Sequence, residues 1–240
     1  MPKRLPLAVP LLLLLALPAL AQAPGQPPKE AKAEEKHPLV PLEEKTSVTR
    51  HSLSLDGRSY PYTATAGTLL LKDDDGTVKA SIFYIAYTLD GVKDPATRPV
   101  TFSFNGGPGA ASLWVHMGAF GPKRVARTDE GFALPPPGKL VDNESSILDL
   151  TDLVFIDPVS TGFSRPAPGQ DAKQFHGVKA DIESVAAFIR LWVTRNQRWA
   201  SPKLVAGESY GTTRAAGLAY ELADRYGMAL NGVILVSSVL

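Results

Sequence analysis

Apolar and polar positions change rhythm along this chain, and each rhythm predicts a different kind of element. From residue 47 to about residue 89 the pattern alternates. Ser52-Leu53-Ser54-Leu55 runs into Asp56-Gly57, residues 68–72 run into Asp73-Asp74-Asp75-Gly76, and residues 78–88 are rich in aromatic and β-branched side chains. A period of two punctuated by Asp-Gly signals predicts antiparallel hairpins. His51 alternates with Leu53 and Leu55 and is expected to be a surface or satisfied histidine. After Pro99, short apolar runs take over at residues 100–104, 153–156, 204–206 and 233–236. Such runs mark parallel strands buried on both faces.

Between the runs the period lengthens. Val178, Ile182, Val185, Ala186, Ile189, Trp192 and Val193 recur at three- and four-residue spacing, which predicts a long helix with one apolar stripe. His176 is expected in its first turns, on the surface. A second helix is predicted from about Tyr210 to Tyr226, stopped by Gly227. Hairpins followed by strand–helix alternation imply an α/β fold, a mostly parallel sheet with antiparallel leading strands.

The two N-terminal segments read differently. Lys3 and Arg4 precede an apolar run that contains Leu11, Leu12, Leu13, Leu14 and Leu15, and Ala21-Gln22-Ala23 fits small-residue cleavage. Pro6, Pro10 and Pro18 interrupt the run, which also falls short of the roughly 20 residues a membrane span needs. Residues 1–23 are therefore expected to be a signal peptide, giving a periplasmic or extracellular protein with no stable membrane insertion after cleavage. Residues 24–46, rich in Pro, Lys and Glu, read as a linker containing a solvated His37. Residues 47–240 form the body.

Composition narrows the function. With 44% hydrophobic residues and 25 basic against 24 acidic side chains, the chain is globular and lacks the basic excess of a nucleic-acid binder. It has no cysteine, which excludes disulfides, thiolate metal sites and a thiol nucleophile. No cofactor is expected.

Two loops carry the candidate chemistry. Gly207-Glu208-Ser209-Tyr210-Gly211 sits between a predicted strand and a predicted helix, the setting of a nucleophile elbow. There the serine hydroxyl stands exposed at the carboxyl end of the sheet, above the free N–H groups of a helix N-terminus. Asn105-Gly106-Gly107-Pro108-Gly109 directly follows the strand at 100–104. Its bare backbone amides could hold a tetrahedral oxyanion, an interaction worth roughly 3–4 kcal/mol per well-placed donor.

Together these residues resemble the serine carboxypeptidase family of α/β-hydrolases. The likeness extends through Asn105 to Ser112, Gly121-Pro122, Asn143 to Ser146, Val154 to Ser164 and Gly207 to Gly211. Proline aminopeptidases look similar but usually carry His where Asn105 stands. The resemblance implies release of C-terminal amino acids from peptides bearing a free carboxylate. It makes Ser209 the nucleophile, the N–H groups of Gly107 and Tyr210 the oxyanion hole, and Asn105, Gly106 and Glu208 the site for the terminal carboxylate. Because two like charges in contact repel, Glu208 can serve there only when it carries a proton, so activity is expected to rise at acidic pH.

Three departures from the family stand out. Ala110 replaces a cysteine, Ala119 replaces a common acidic residue, and the sequence reaches Leu240 one strand after the elbow helix. In this fold the triad acid and histidine follow the serine, yet only Asp224 and no histidine follow Ser209. His116 and Asp157 are expected to have packing and turn roles. The chain thus reads as the N-terminal portion of an α/β-hydrolase, incomplete at the C-terminus, inactive and poorly soluble or molten if expressed alone. Two alternatives stay open: a serine esterase or acyltransferase of the same fold, and a non-catalytic exported binding module.

Overall fold

Alternation from residue 46 onward builds a long antiparallel meander. A computed structural model describes residues 42–239; the expected signal peptide and nearly all of the expected linker lie outside them. Strands β1 (Thr46–Leu55), β2 (Arg58–Lys72) and β3 (Val78–Leu89) pair in sequence. The β1–β2 turn takes Asp56 and Gly57 at φ 49° and 75°, the left-handed pair that a two-residue hairpin requires. The linker ends earlier than the sequence suggests. Glu44 accepts the Leu70 N–H at 2.8 Å and pairs with Arg195, so residues 44–46 belong to the body.

The short apolar runs become the centre of the sheet. Strand β4 (Val100–Phe104) is followed by a helical turn α1 (Leu113–Val115), continued by a wider turn over His116–Phe120. A small separate hairpin follows, β5 (Lys123–Val125) with β6 (Leu140–Asp142). Then come β7 (Asp152–Ile156), β8 (Arg165–Pro166), helix α2 (Val178–Arg195), β9 (Lys203–Glu208), helix α3 (Tyr210–Tyr226) and β10 (Gly232–Val236). Among the described residues the main sheet runs β1-β2-β3-β7-β4-β9-β10, with β8 beside β3. Strands β7, β4, β9 and β10 are mutually parallel, and β3 joins β7 antiparallel. The chain is an α/β-hydrolase-type sheet with antiparallel leading strands.

Side chains on the central strands alternate between two cores. Phe102, Val154, Ile156 and Val205 face α2 and α3, where Trp192 meets the Phe102 ring edge-on at 5.5 Å. Leu153 and Phe155 face the opposite side with Leu53, Tyr62 and Leu148. Burying each such side chain contributes about 1.5–3 kcal/mol, so β7 is held from both faces, while β4 buries Thr101 and Ser103 on its second face. β10 differs from that expectation, because Val233, Leu235 and Val236 on this outer strand remain 36–49% exposed. His176 also lies outside the helix assigned to it. Gly177, at φ 94°, separates it from α2, and the histidine is exposed.

Topology fixes where a ligand can sit. From β4 the chain proceeds to β7 on one side, whereas from β9 it proceeds to β10 on the other. The crevice between the carboxyl ends of β4 and β9 is thus a topological switch point, the usual ligand site in open parallel sheets. Asn105 follows β4 and Ser209 follows β9 at that crevice.

Candidate active site

The elbow forms because the chain must turn from β9 into α3 within one residue. Ser209 takes φ 55° and ψ −126°, a sparsely populated conformation costing about 1–3 kcal/mol that surrounding structure must hold in place. Its N–H donates to Val236 O at 3.0 Å, and its carbonyl accepts from Thr212 N at 2.9 Å. A Cβ on Gly207 would lie 2.0 Å from Gly211 O, so only glycine permits the strand to approach the helix this closely.

The glycine loop is pressed against that elbow. A Cβ on Gly106 would lie 2.4 Å from Tyr210 N, 2.6 Å from Gly211 N and 2.7 Å from Glu208 O. Asn105 is buried, and its Oδ1 accepts from Trp114 N at 3.1 Å and Val115 N at 3.0 Å. This leaves Nδ2 as the donor, and it reaches Glu208 Oε2 at 2.9 Å. Loop and elbow are therefore joined by packing and by a side-chain bond. Gly107, at φ 106°, is exposed beside them, and Ser209, Tyr210 and Glu208 are half-buried.

The two residues expected to have packing and turn roles are both buried. His116 stacks on Phe155 at 4.5 Å, and its Nε2 lies 2.6 Å from the Tyr87 hydroxyl. Burial pushes its pKa down to about 4, so it is neutral at ordinary pH. Asp157 accepts from Ser112 N at 2.9 Å and Phe163 N at 3.3 Å. It ties the far end of the glycine loop to the turn after β7. Burial raises its pKa against the lowering effect of those two N–H groups. The described histidines bond to Thr49, Tyr87 and Ser160 rather than to Ser209.

A concavity of about 490 Å³ opens beside the elbow, walled by Pro108, Val159, Phe175, Asp181, Tyr210 and Arg214. Arg214 and Asp181 are the residues that sequence reasoning passes over. Arg214 interrupts an otherwise small and apolar stripe on α3, Gly211, Ala215, Leu218 and Leu222. A charge in such a stripe signals a buried partner. The partner is Asp181 on α2, which accepts Arg214 Nε at 2.8 Å and the Tyr210 hydroxyl at 3.1 Å. Desolvation and the Asp181 charge raise the Tyr210 pKa.

Among the described residues no three His, Asp or Glu side chains cluster as a metal site would, and no helix is long and apolar enough to cross a membrane.

Comparison with known proteins places the chain in a family. The family model described as serine carboxypeptidase matches residues 64–237. The serine carboxypeptidase-like proteins 36 and 37 of Arabidopsis thaliana are 33% and 29% identical over 132 and 135 residues. Each match covers 55% of this chain and 26% of the relative, so the chain matches about a quarter of the length of these curated proteins. In structure it is similar to a prohormone-processing carboxypeptidase of Saccharomyces cerevisiae, with a TM-score of 0.55 and 22% identity. That match covers 72% of this chain and 38% of the yeast protein, and at this identity it speaks for the fold alone. With the family model matched from β2 to the end of β10, the chain belongs to the serine carboxypeptidase family.

Proposed function

We propose that the protein is an exported serine carboxypeptidase whose acyl-enzyme forms on Ser209. In this reading Ser209 Oγ attacks the last peptide carbonyl. The resulting oxyanion is received by the N–H groups of Gly107 and Tyr210, each worth roughly 3–4 kcal/mol in the transition state. Collapse expels the C-terminal amino acid, whose amine takes the proton lost by the serine, and water then hydrolyses the ester. Asn105, Gly106 and Glu208 hold the substrate's terminal carboxylate. The general base is not among the residues the described site brings together. Export through a signal peptide at residues 1–23 belongs to the same proposal.

The observation that carries the reading is the Asn105–Glu208 bond at 2.9 Å. It unites a carboxamide donor and a carboxyl group beside the nucleophile, the pair a terminal carboxylate needs once Glu208 is protonated. The test is release of the last residue from an N-blocked dipeptide by the intact gene product. Release that requires a free carboxylate and disappears in Ser209→Ala supports the proposal. Hydrolysis of esters without peptides would instead favour an esterase. Peptide binding without cleavage is the second reading. Saturable binding of the dipeptide with no turnover would establish it.

A further inference from the structure

Arg214 is the least exposed charged residue among the described residues, at 1%. A guanidinium at that depth persists only when it is paired and hydrogen-bonded, and here Nε and Nη1 find partners among residues at or beside the candidate site. Nε donates to Asp181 Oδ2 at 2.8 Å, and Nη1 donates to the Asn105 carbonyl at 2.8 Å. Its Cζ lies over the rings of Phe104 and Tyr210, at 5.1 and 5.2 Å from their centroids. Asp181 also receives the Tyr210 hydroxyl. One side chain thus spans the end of β4, the first turn of α3 and the first turn of α2.

The bond to Asn105 bears most directly on ligand binding. A trans peptide is planar, with its C=O and N–H pointing in opposite directions. Pinning the Asn105 carbonyl toward Arg214 therefore presents the N–H of Gly106 on the face away from the guanidinium. The stacked Tyr210 ring is held by the same group, and Tyr210 supplies an oxyanion donor through its backbone. We propose that Arg214, anchored by Asp181, is a positioning residue that orients the Asn105–Gly106 peptide for the substrate's terminal carboxylate. This rests on the assignment of Asn105 and Gly106 as carboxylate ligands under the proposed function. Lysine would keep the charge but lose the planar fork that reaches two acceptors at once.

The test compares Arg214→Lys with the unsubstituted intact product on an N-blocked dipeptide and on its C-terminal amide. Losing one charge-assisted bond of this kind corresponds to about ten- to a hundredfold in affinity. The expected result is a rise in KM of that order for the free-carboxylate peptide, with kcat and the amide substrate changed much less. Equal losses on both substrates would mean a general structural role and would overturn the proposal. If Arg214→Lys does not fold, Asp181→Asn, which keeps size and one bond, must show the same selective shift. Calorimetric binding of the dipeptide to Ser209→Ala separates this proposal from the proposed function. Binding without cleavage by the unsubstituted protein removes the peptidase reading, and a Kd weakened by Arg214→Lys still upholds the positioning role. Binding unaffected by Arg214→Lys, or no binding by Ser209→Ala at all, overturns it.

Discussion

Replacing Gly106 by alanine tests the contact on which the site depends. The added Cβ would stand 2.4 Å from Tyr210 N, where ordinary contact begins at 3.4 Å, and 2.7 Å or less from two further backbone atoms. Backbone atoms cannot swing aside as a flexible side chain can, so the glycine loop must part from the elbow by about 1 Å. Overpacking of this kind costs about 1–3 kcal/mol, which in a body of this size lowers Tm by roughly 3–10 °C. The chemical effect is expected to fall at the upper end of the same energy range. A displacement of about 1 Å between nucleophile and oxyanion donors costs about a hundredfold in rate. Gly118→Ala is the control, since nothing lies within 4 Å of its Cβ position and the added methyl should be neutral or slightly stabilising. The assay pairs a thermal melt with kcat/KM on an N-blocked dipeptide, both in the intact product. If Gly106→Ala melts and reacts like the Gly118 control, loop and elbow are not in contact and the geometry is wrong.

Other expectations follow from buried charge. Asp152 sits between Arg98 and Arg198, bonded at 2.8 and 2.6 Å, at the opposite end of the parallel strands from Ser209. Asp152→Ala should destabilise by about 3–5 kcal/mol in urea titration, because it leaves two cations without their shared partner. His116 has a folded pKa of about 4, below the ordinary value near 6.5. Its contribution is therefore complete above pH 6.5 and is lost as pH falls toward 4, by up to about 3 kcal/mol. His116→Gln should flatten the stability profile in that window, and an unchanged slope would contradict the assigned burial. Glu208→Gln, which mimics the protonated acid, should weaken the preference for acidic pH on peptide substrates. An unaltered pH–rate profile would remove Glu208 from the carboxylate site.

Much of this architecture is legible in the sequence where the signal is local. The strand at residues 153–156 is a continuous apolar run, and β7 is buried on both faces as such runs are. The elbow is legible because turn, glycine and serine lie within five consecutive residues. Signals that depend on distant partners are not readable in this way. Arg214's place in the apolar stripe of α3 signals burial, but not that its partners are Asp181 and the Asn105 carbonyl, which come from other elements. The β5–β6 hairpin has only three residues per strand, too few for any period to emerge. His176 falls outside α2 because Gly177 takes a left-handed φ of 94° there, a backbone choice that hydrophobic spacing does not report. Glu44 reads as linker because its partners, Leu70 N and Arg195, are far away in sequence.

The central claim is that Ser209 is a nucleophile held by the elbow and faced by the glycine loop. Treating the intact product with a fluorophosphonate and mapping the adduct by peptide mass spectrometry tests it most directly. The account predicts a single adduct on Ser209, absent in Ser209→Ala and formed about a hundredfold more slowly in Gly106→Ala. An adduct on another serine, or none on Ser209 in protein that still releases C-terminal residues, would contradict it.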